Sequence, residues 1–303
     1  MAAPYLNVTP RFYISETQPF DNMEKIKFKN SRGLNLAGNF YQGDSDAIII
    51  MTHGFTGDAM EHPGLRKAAE TFNQNGFSVL SFDFSGCGES DDDTITVEKE
   101  VDDLNSAIRY AEDKGFSSIG IMGYSLGGLV ALKSFPRSFS NRIKTMVLAA
   151  PLTEYSERLK KIISVEKIKR LSENGTFILN RNTGPRKKIV LDKQLIEEIT
   201  KLNQKEILCS IKRPILIIHG DSDELIPFRF SEKGLQYLPP DSQIEKIKGA
   251  NHLFSNHDEE LAKYSLHWFN VYLKGNDFSE NKMRPGPACF VQKDIPQQQV
   301  QNR

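Results

Sequence analysis

A chain of 303 residues with 39% hydrophobic content is long enough for one large domain or two small ones, with a sizeable core and no need of cross-links. Lysine plus arginine equals aspartate plus glutamate at 39 each, which excludes recruitment by overall charge to nucleic acid, an anionic membrane or a strongly acidic partner. The three cysteines, Cys87, Cys209 and Cys289, match neither a disulfide framework nor paired zinc ligands, and the start Met-Ala-Ala-Pro-Tyr-Leu lacks a basic-then-apolar leader, so a cytoplasmic location is expected.

After an irregular segment over residues 1–23, Glu24–Asn30 alternates Ile26 and Phe28 with lysines, and Ser31-Arg32-Gly33 turns the chain into Leu34–Tyr41. That pattern predicts an antiparallel hairpin. The rhythm then changes to short apolar runs separated by helical stretches: strand Ala47–Thr52, a helix around Pro63–Asn73, strand Phe77–Asp83, helix Val97–Glu112 and a strand from Ser118 to Met122. None of these runs is long enough to span a bilayer, so no integral membrane association is expected. Beyond Ser125, Leu126, Leu129 and Val130 recur at helical spacing as far as Pro136. Strand Lys144–Ala150, strand Pro214–His219, helix Arg229–Leu238, strand Ser242–Ile247 and helix Asp258–Leu273 complete the series. Alternation of this kind predicts an α/β fold whose eight-stranded, mostly parallel sheet is covered by helices on both faces, built from residues 24–150 and 212–273.

Between those two parts, residues 151–211 break the rhythm with amphipathic helical stretches and a hairpin, Thr176–Leu179 to Ile189–Leu191, turned at Asn182-Thr183-Gly184-Pro185. They read as a small inserted cap. The cap carries thirteen basic and eight acidic side chains, a surplus that reads as a solvated surface, with attraction of an anionic substrate group as the functional alternative. Residues 274–303 turn polar, with Pro285-Gly286-Pro287 and Gln297-Gln298-Gln299, and are expected to be a disordered tail.

The chemistry-bearing residues sit where these strands end. Gly123-Tyr124-Ser125-Leu126-Gly127 places a serine between two glycines at a strand-to-helix turn, the geometry that exposes a hydroxyl as a nucleophile. By composition alone such a pentapeptide arises in roughly one chain of this length in ten, so it needs support. A serine hydroxyl is a poor nucleophile without a base in hydrogen-bond reach and a carboxylate to orient that base. Both follow downstream, each after a strand: His219-Gly220-Asp221-Ser222-Asp223, and Gly249-Ala250-Asn251-His252. In an open parallel sheet the strand C-termini share one edge, so these residues can converge there.

Together with His53-Gly54-Phe55-Thr56-Gly57 and Asp83-Phe84-Ser85-Gly86-Cys87-Gly88-Glu89-Ser90, these segments resemble an α/β-hydrolase of the serine esterase type, from Glu24 to about Leu273. More narrowly, the chain is similar to the cinnamoyl and feruloyl esterase branch, in a domain of the serine aminopeptidase S33 type. The resemblance implies Ser125 as nucleophile, His252 as general base and then acid, and Asp223 as the group that orients His252. Asp223 is preferred to Asp221 because the family's acid stands four residues after its strand-end histidine, which leaves Asp221 to brace the loop. His257 is read as a surface or capping residue, and His53 and His219 as buried hydrogen-bonding residues. The backbone N–H groups of Phe55 and Leu126 are the implied oxyanion donors.

No cofactor is implied, because Gly86-Cys87-Gly88 lacks the third glycine of a dinucleotide loop and any Gly-Lys-Ser ending. Asp221-Ser222-Asp223 begins like a calcium loop, but Leu225 and Ile226 stand where that loop needs an oxygen ligand and a glycine. The expected activity is hydrolysis of small-molecule carboxylic esters, the substrate carrying an anionic or an aromatic group. Thioesterase, monoacylglycerol lipase, aminopeptidase-like and C–C hydrolase activities use the same machinery. A ligand-binding protein that has lost catalysis is the alternative from another class, and the oligomeric state stays open.

Overall fold

The computed structural model describes residues 23–137, 140–155 and 173–274. The expected N-terminal segment up to residue 22, the part of the cap over 156–172 and the tail from 275 lie outside the described residues.

Eleven strands and seven helices are described. β1 (Met23–Lys29) and β2 (Asn35–Tyr41) form the expected antiparallel hairpin. Its turn closes on Asn30, whose Oδ1 accepts the N–H groups of Arg32 and Leu34 at 3.0 and 2.9 Å. Then come β3 (Ala47–Thr52), α1 (Pro63–Gln74), β4 (Ser78–Phe82), β5 (Thr94–Ile95), α2 (Val97–Asp113), β6 (Ser118–Tyr124), α3 (Leu126–Ser134) and β7 (Ile143–Ala149). The second half runs β8 (Thr176–Asn180), β9 (Lys188–Asp192), α4 (Lys193–Thr200), α5 (Gln204–Cys209), β10 (Ile215–Gly220), α6 (Phe228–Gly234), β11 (Gln243–Ile247) and α7 (Asp258–Lys274).

Eight of the strands form one sheet in the order β1-β2-β4-β3-β6-β7-β10-β11, antiparallel at β1–β2–β4 and parallel from β4 onward. This is the mostly parallel, helix-covered sheet that the alternation predicts and the α/β-hydrolase fold that the family resemblance implies. The period of two along each strand divides the core between the two faces. In β3, Ile48 and Ile50 join the apolar cluster under α2 and α3, whereas Ile49 and Met51 join the one under α1 and α7. Both sides are sealed by aromatic and aliphatic side chains, as where Phe72 of α1 meets Phe269 of α7 edge-to-face at 5.3 Å. Each such side chain contributes about 1.5–3 kcal/mol on burial.

Three details differ from the sequence expectation. The helix read over Arg229–Leu238 is α6 followed by a 3₁₀ turn, Leu235–Tyr237, because Leu238 precedes Pro239 and is forced into extended backbone. The expected hairpin β8–β9 forms, but β5 adds to it in parallel, giving a small sheet in the order β5-β9-β8. A two-residue strand has too few positions to show a period. Cys209 is disulfide-bonded where the sequence suggests no disulfide framework, and Cys87 is a free, buried thiol. Among the described residues no helix is long and apolar enough to cross a membrane.

On α2 the core holds an unpaired acid. Glu100 is 1% exposed, and neither carboxylate oxygen has a hydrogen-bond partner among the described residues. Burial, then the charges of Asp103 and Glu198, push its pKa well above the usual carboxylate range. When pH rises past the ordinary carboxylate pKa, the unfolded chain loses this proton while the folded chain retains it, so the folded state is progressively disfavoured. Glu100→Gln removes that penalty. It is expected to raise Tm at pH 8 by about 2–4 °C, the effect of ~1 kcal/mol on a domain of this size, with the gain vanishing near pH 4. Thermal unfolding at the two pH values checks this, and an equal shift at both contradicts it.

Candidate active site

Ser125 sits between β6 and α3 with φ 54° and ψ −115°. A positive φ is strained for any residue with a Cβ, and the surroundings must enforce it. The carbonyl of Ala149 on β7 accepts the Ser125 N–H at 2.9 Å, and the Ser125 carbonyl accepts the N–H of Leu152 at 3.1 Å. The flanking glycines have a steric reason. A Cβ at Gly123 would lie 2.7 Å from the Gly127 carbonyl oxygen, and one at Gly127 would lie 2.4 Å from that of His53.

Two loops bring the other candidates to this turn. After β11, His252 places Nε2 3.0 Å from Ser125 Oγ and Nδ1 2.8 Å from Asp223 Oδ2. Asp223, on the loop after β10, is held from every side. Its Oδ1 accepts the N–H groups of Leu225 and Ile226, each at 2.8 Å, while His219 Nε2 approaches Oδ2 at 3.1 Å. Burial alone would raise the Asp223 carboxyl, but the hydrogen bonds from His219 and His252, with the nearby His252 charge and the Ile226 N–H, carry it well below the usual carboxylate range. These N–H donors occupy both oxygens, so they do not face a cation. His219 is wholly buried and turns its Nδ1 to Ser231 Oγ at 2.7 Å.

Asp221 does not reach His252. Its Oδ1 accepts the Gly249 N–H at 2.7 Å, and Ser222 N–H donates to the Ala250 carbonyl at 3.1 Å, so the loops that carry Asp223 and His252 are stitched together. His257 pairs with Glu260 at the start of α7, away from the serine.

The loop after β3 covers the serine from the other side. A Cβ on Gly54 would stand 3.4 Å from the Ser125 Cβ. His53 Nε2 accepts the Phe84 N–H at 3.2 Å, which puts the ring proton on Nδ1, and Nδ1 donates to the Gly54 carbonyl at 2.8 Å. The Gly57 N–H donates to the same carbonyl at 3.1 Å. The Gly54 carbonyl and the Phe55 N–H share one trans peptide plane and point oppositely, so these two bonds also fix the direction of the Phe55 N–H. Leu126 is the first residue of α3, and its N–H therefore has no carbonyl of its own helix to bond.

A cavity of about 510 Å³ opens over this constellation, lined by residues that include Phe55, His62, Tyr124, Ser125, Arg181, Leu225, His252 and Leu253. Its charged lining is Asp58, Glu61 and Arg181, and the Arg181 guanidinium is paired with Glu61, which also accepts from Thr183 Oγ1 at 3.1 Å. The basic surplus of the cap therefore gives this cavity no net positive charge among the described residues. Residue counting recorded how many charges the segment holds and nothing of where they point.

Two further residues reach the site without having been singled out by sequence. Tyr124 donates its hydroxyl to the His252 carbonyl at 3.1 Å. His62 packs its ring on Tyr124, and burial, then the His252 charge, lower its pKa to about 4. In sequence, Tyr124 reads as core within an apolar strand, and His62 belongs to no motif.

Comparison with known proteins follows the same lines. The family model described as serine aminopeptidase, S33 matches residues 43–184, which contain Phe55, Ser125 and Leu126 but end before Asp223 and His252. A thiohydrolase, aneE of Aspergillus aculeatus, is 32% identical over 149 residues, and the match spans 46% of this chain and 46% of that relative. Among solved structures, Est1E from Butyrivibrio proteoclasticus with ferulic acid bound superposes with TM-score 0.65 at 21% identity, covering 82% of this chain and 98% of that one. The Pyrococcus furiosus esterase Pf2001 superposes with TM-score 0.65 at 21% identity, covering 83% of this chain and 91% of that one. At such identities the two structures speak to the fold alone.

Proposed function

We propose that the chain is a member of the α/β-hydrolase family and, within it, a serine carboxylesterase acting on small-molecule esters, a reading supported by the family match over residues 43–184. The observation that carries this reading is the unbroken chain of contacts from Asp223 Oδ2 through the His252 ring to Ser125 Oγ, at 2.8 and 3.0 Å. Ser125 Oγ attacks the ester carbonyl carbon while its proton passes to His252 Nε2. The charge that develops on the carbonyl oxygen is met by the N–H groups of Leu126 and Phe55, the second aimed by the His53 and Gly57 bonds to its peptide. Collapse of the intermediate breaks the C–O bond, and the departing alcohol takes the proton from His252. A water then gives a proton to His252 and attacks the acyl-serine, releasing the carboxylic acid and restoring Ser125. Asp223, kept anionic, holds the His252 Nδ1 proton throughout and stabilises the imidazolium.

The cavity volume falls within the range of small-molecule sites, and Phe55, Leu179, Leu225 and Leu253 give it apolar walls suited to an acyl or aromatic group. Thioester hydrolysis is the second reading, favoured by the aneE similarity over about half of each chain.

Labelling with a fluorophosphonate followed by peptide mass spectrometry tests the hydrolase reading, with Ser125 as the expected modified residue. Absence of label on folded protein would point to the non-catalytic alternative. A panel of p-nitrophenyl esters of graded chain length, hydroxycinnamoyl esters, acyl thioesters and aminoacyl anilides ranks the substrates. Oxygen esters of short or aromatic acids are expected to give the highest kcat/KM; a higher value for thioesters or anilides replaces the ester reading.

A further inference from the structure

We propose that Tyr124 is a positioning residue that holds the base and the oxyanion loop in register with Ser125, a role that rests on the hydrolase reading above. Its hydroxyl bonds the His252 backbone carbonyl at 3.1 Å, and its ring lies against the His252 imidazole with centroids 5.4 Å apart. Its Cδ1 and Cε1 stand 3.0 Å from where a Cβ on Gly54 would be, so the ring faces Gly54, the residue that precedes the Phe55 N–H, with no room for a side chain between them. His62 closes another side of the ring at 4.3 Å and is itself fixed, because its Nδ1 accepts the Leu65 N–H at 3.3 Å at the start of α1.

One residue, its side chain 6% exposed, therefore touches both His252 and the loop of Phe55 and is the chain neighbour of Ser125. An ordinary core tyrosine would send its hydroxyl to any convenient acceptor; here the acceptor is the carbonyl of the base. The loop it anchors needs an anchor. Phe254 and Asn256, shortly after His252, hold φ 52° and 63°, and such non-glycine geometry persists only where neighbouring contacts enforce it.

The test uses the full chain and compares wild type, Tyr124→Phe and Tyr124→Leu by two measurements: the second-order rate of fluorophosphonate labelling at Ser125, and kcat and KM for p-nitrophenyl butyrate. Tyr124→Phe keeps the ring in the cavity wall and removes only the bond to His252. It is expected to lower kcat and the labelling rate about 3–10-fold, the worth of one neutral hydrogen bond, with KM unchanged and Tm lowered by no more than about 2–4 °C. Tyr124→Leu also releases Gly54 and the imidazole, and about 10²-fold is expected from misplacement of this kind. Labelling of Tyr124→Phe at the wild-type rate, or a rise in KM with kcat unchanged, overturns the proposal. Should Tyr124→Leu fail to fold, Tyr124→Phe decides alone. Failure of the wild type to label overturns the hydrolase reading instead, so the two failures are distinguishable.

Discussion

Ser125→Ala is expected to lower kcat for ester hydrolysis by about 10⁶-fold, the loss known for removal of a triad serine, while the fold stays intact. The oxygen removed is the one group within hydrogen-bond reach of His252 Nε2 in the described site, so no neighbouring hydroxyl stands ready to replace it. Structure should change little. Alanine retains the Cβ, so the positive φ of the turn is neither relieved nor worsened, and one hydrogen bond worth ~1 kcal/mol is lost, which moves Tm by no more than about 2–4 °C. Steady-state kinetics beside thermal unfolding check both parts. Turnover that survives the substitution would mean that the nucleophile lies elsewhere.

Asp223→Asn is expected to cost about 10⁴-fold in kcat, and the hydrogen-bond pattern says why. Oδ1 accepts two backbone N–H groups, from Leu225 and Ile226, so the amide that replaces the carboxylate must keep its oxygen there and turn its NH₂ toward His252. An NH₂ group facing Nδ1 forces the ring proton onto Nε2, the nitrogen that must accept the serine proton. The reverse orientation leaves two backbone donors facing an NH₂, which costs ~1–3 kcal/mol for each buried group left unpaired. Neither orientation serves. Asp221→Asn should lose less than about tenfold, because that carboxylate braces the Gly249 turn and does not reach the imidazole. A larger loss at Asp221 than at Asp223 would mean that the acid is misassigned.

Most of the sheet was legible because its central strands are apolar runs closed by a small polar motif, as Ala47–Thr52 by His53-Gly54 and Ile215–Gly220 by Asp221, whereas the edge strand Gln243–Ile247 is marked by the Gly249 turn that follows it. Burial on both faces writes such strands plainly. The loops that follow them carry the candidate residues, so chain order suggested convergence at one sheet edge and the family resemblance chose Asp223 over Asp221; in the structure His252 lies 3.0 Å from Ser125 Oγ and 2.8 Å from Asp223 Oδ2. What stayed hidden depends on tertiary facing. Of the cap's basic residues, Arg181 enters the described cavity wall and meets Glu61 there; no periodicity records that pairing. The contact between Tyr124 and His252 spans 128 residues of sequence, and a tyrosine within an apolar strand reads simply as core. Thr94–Ile95 became a strand only because β9 lies beside it.

The strand order has a consequence for how activity is lost. Ser125 follows β6 in the middle of the sheet, whereas His252 follows β11, the outermost strand on that side among the described residues, bonded through one neighbour only. Proteins open locally at far lower free energy than they unfold as a whole, and edge elements open first. On the proposed hydrolase reading, fraying of β11 would carry His252 away while Ser125 stays seated in the central sheet. Loss of activity is then expected at milder conditions than global unfolding.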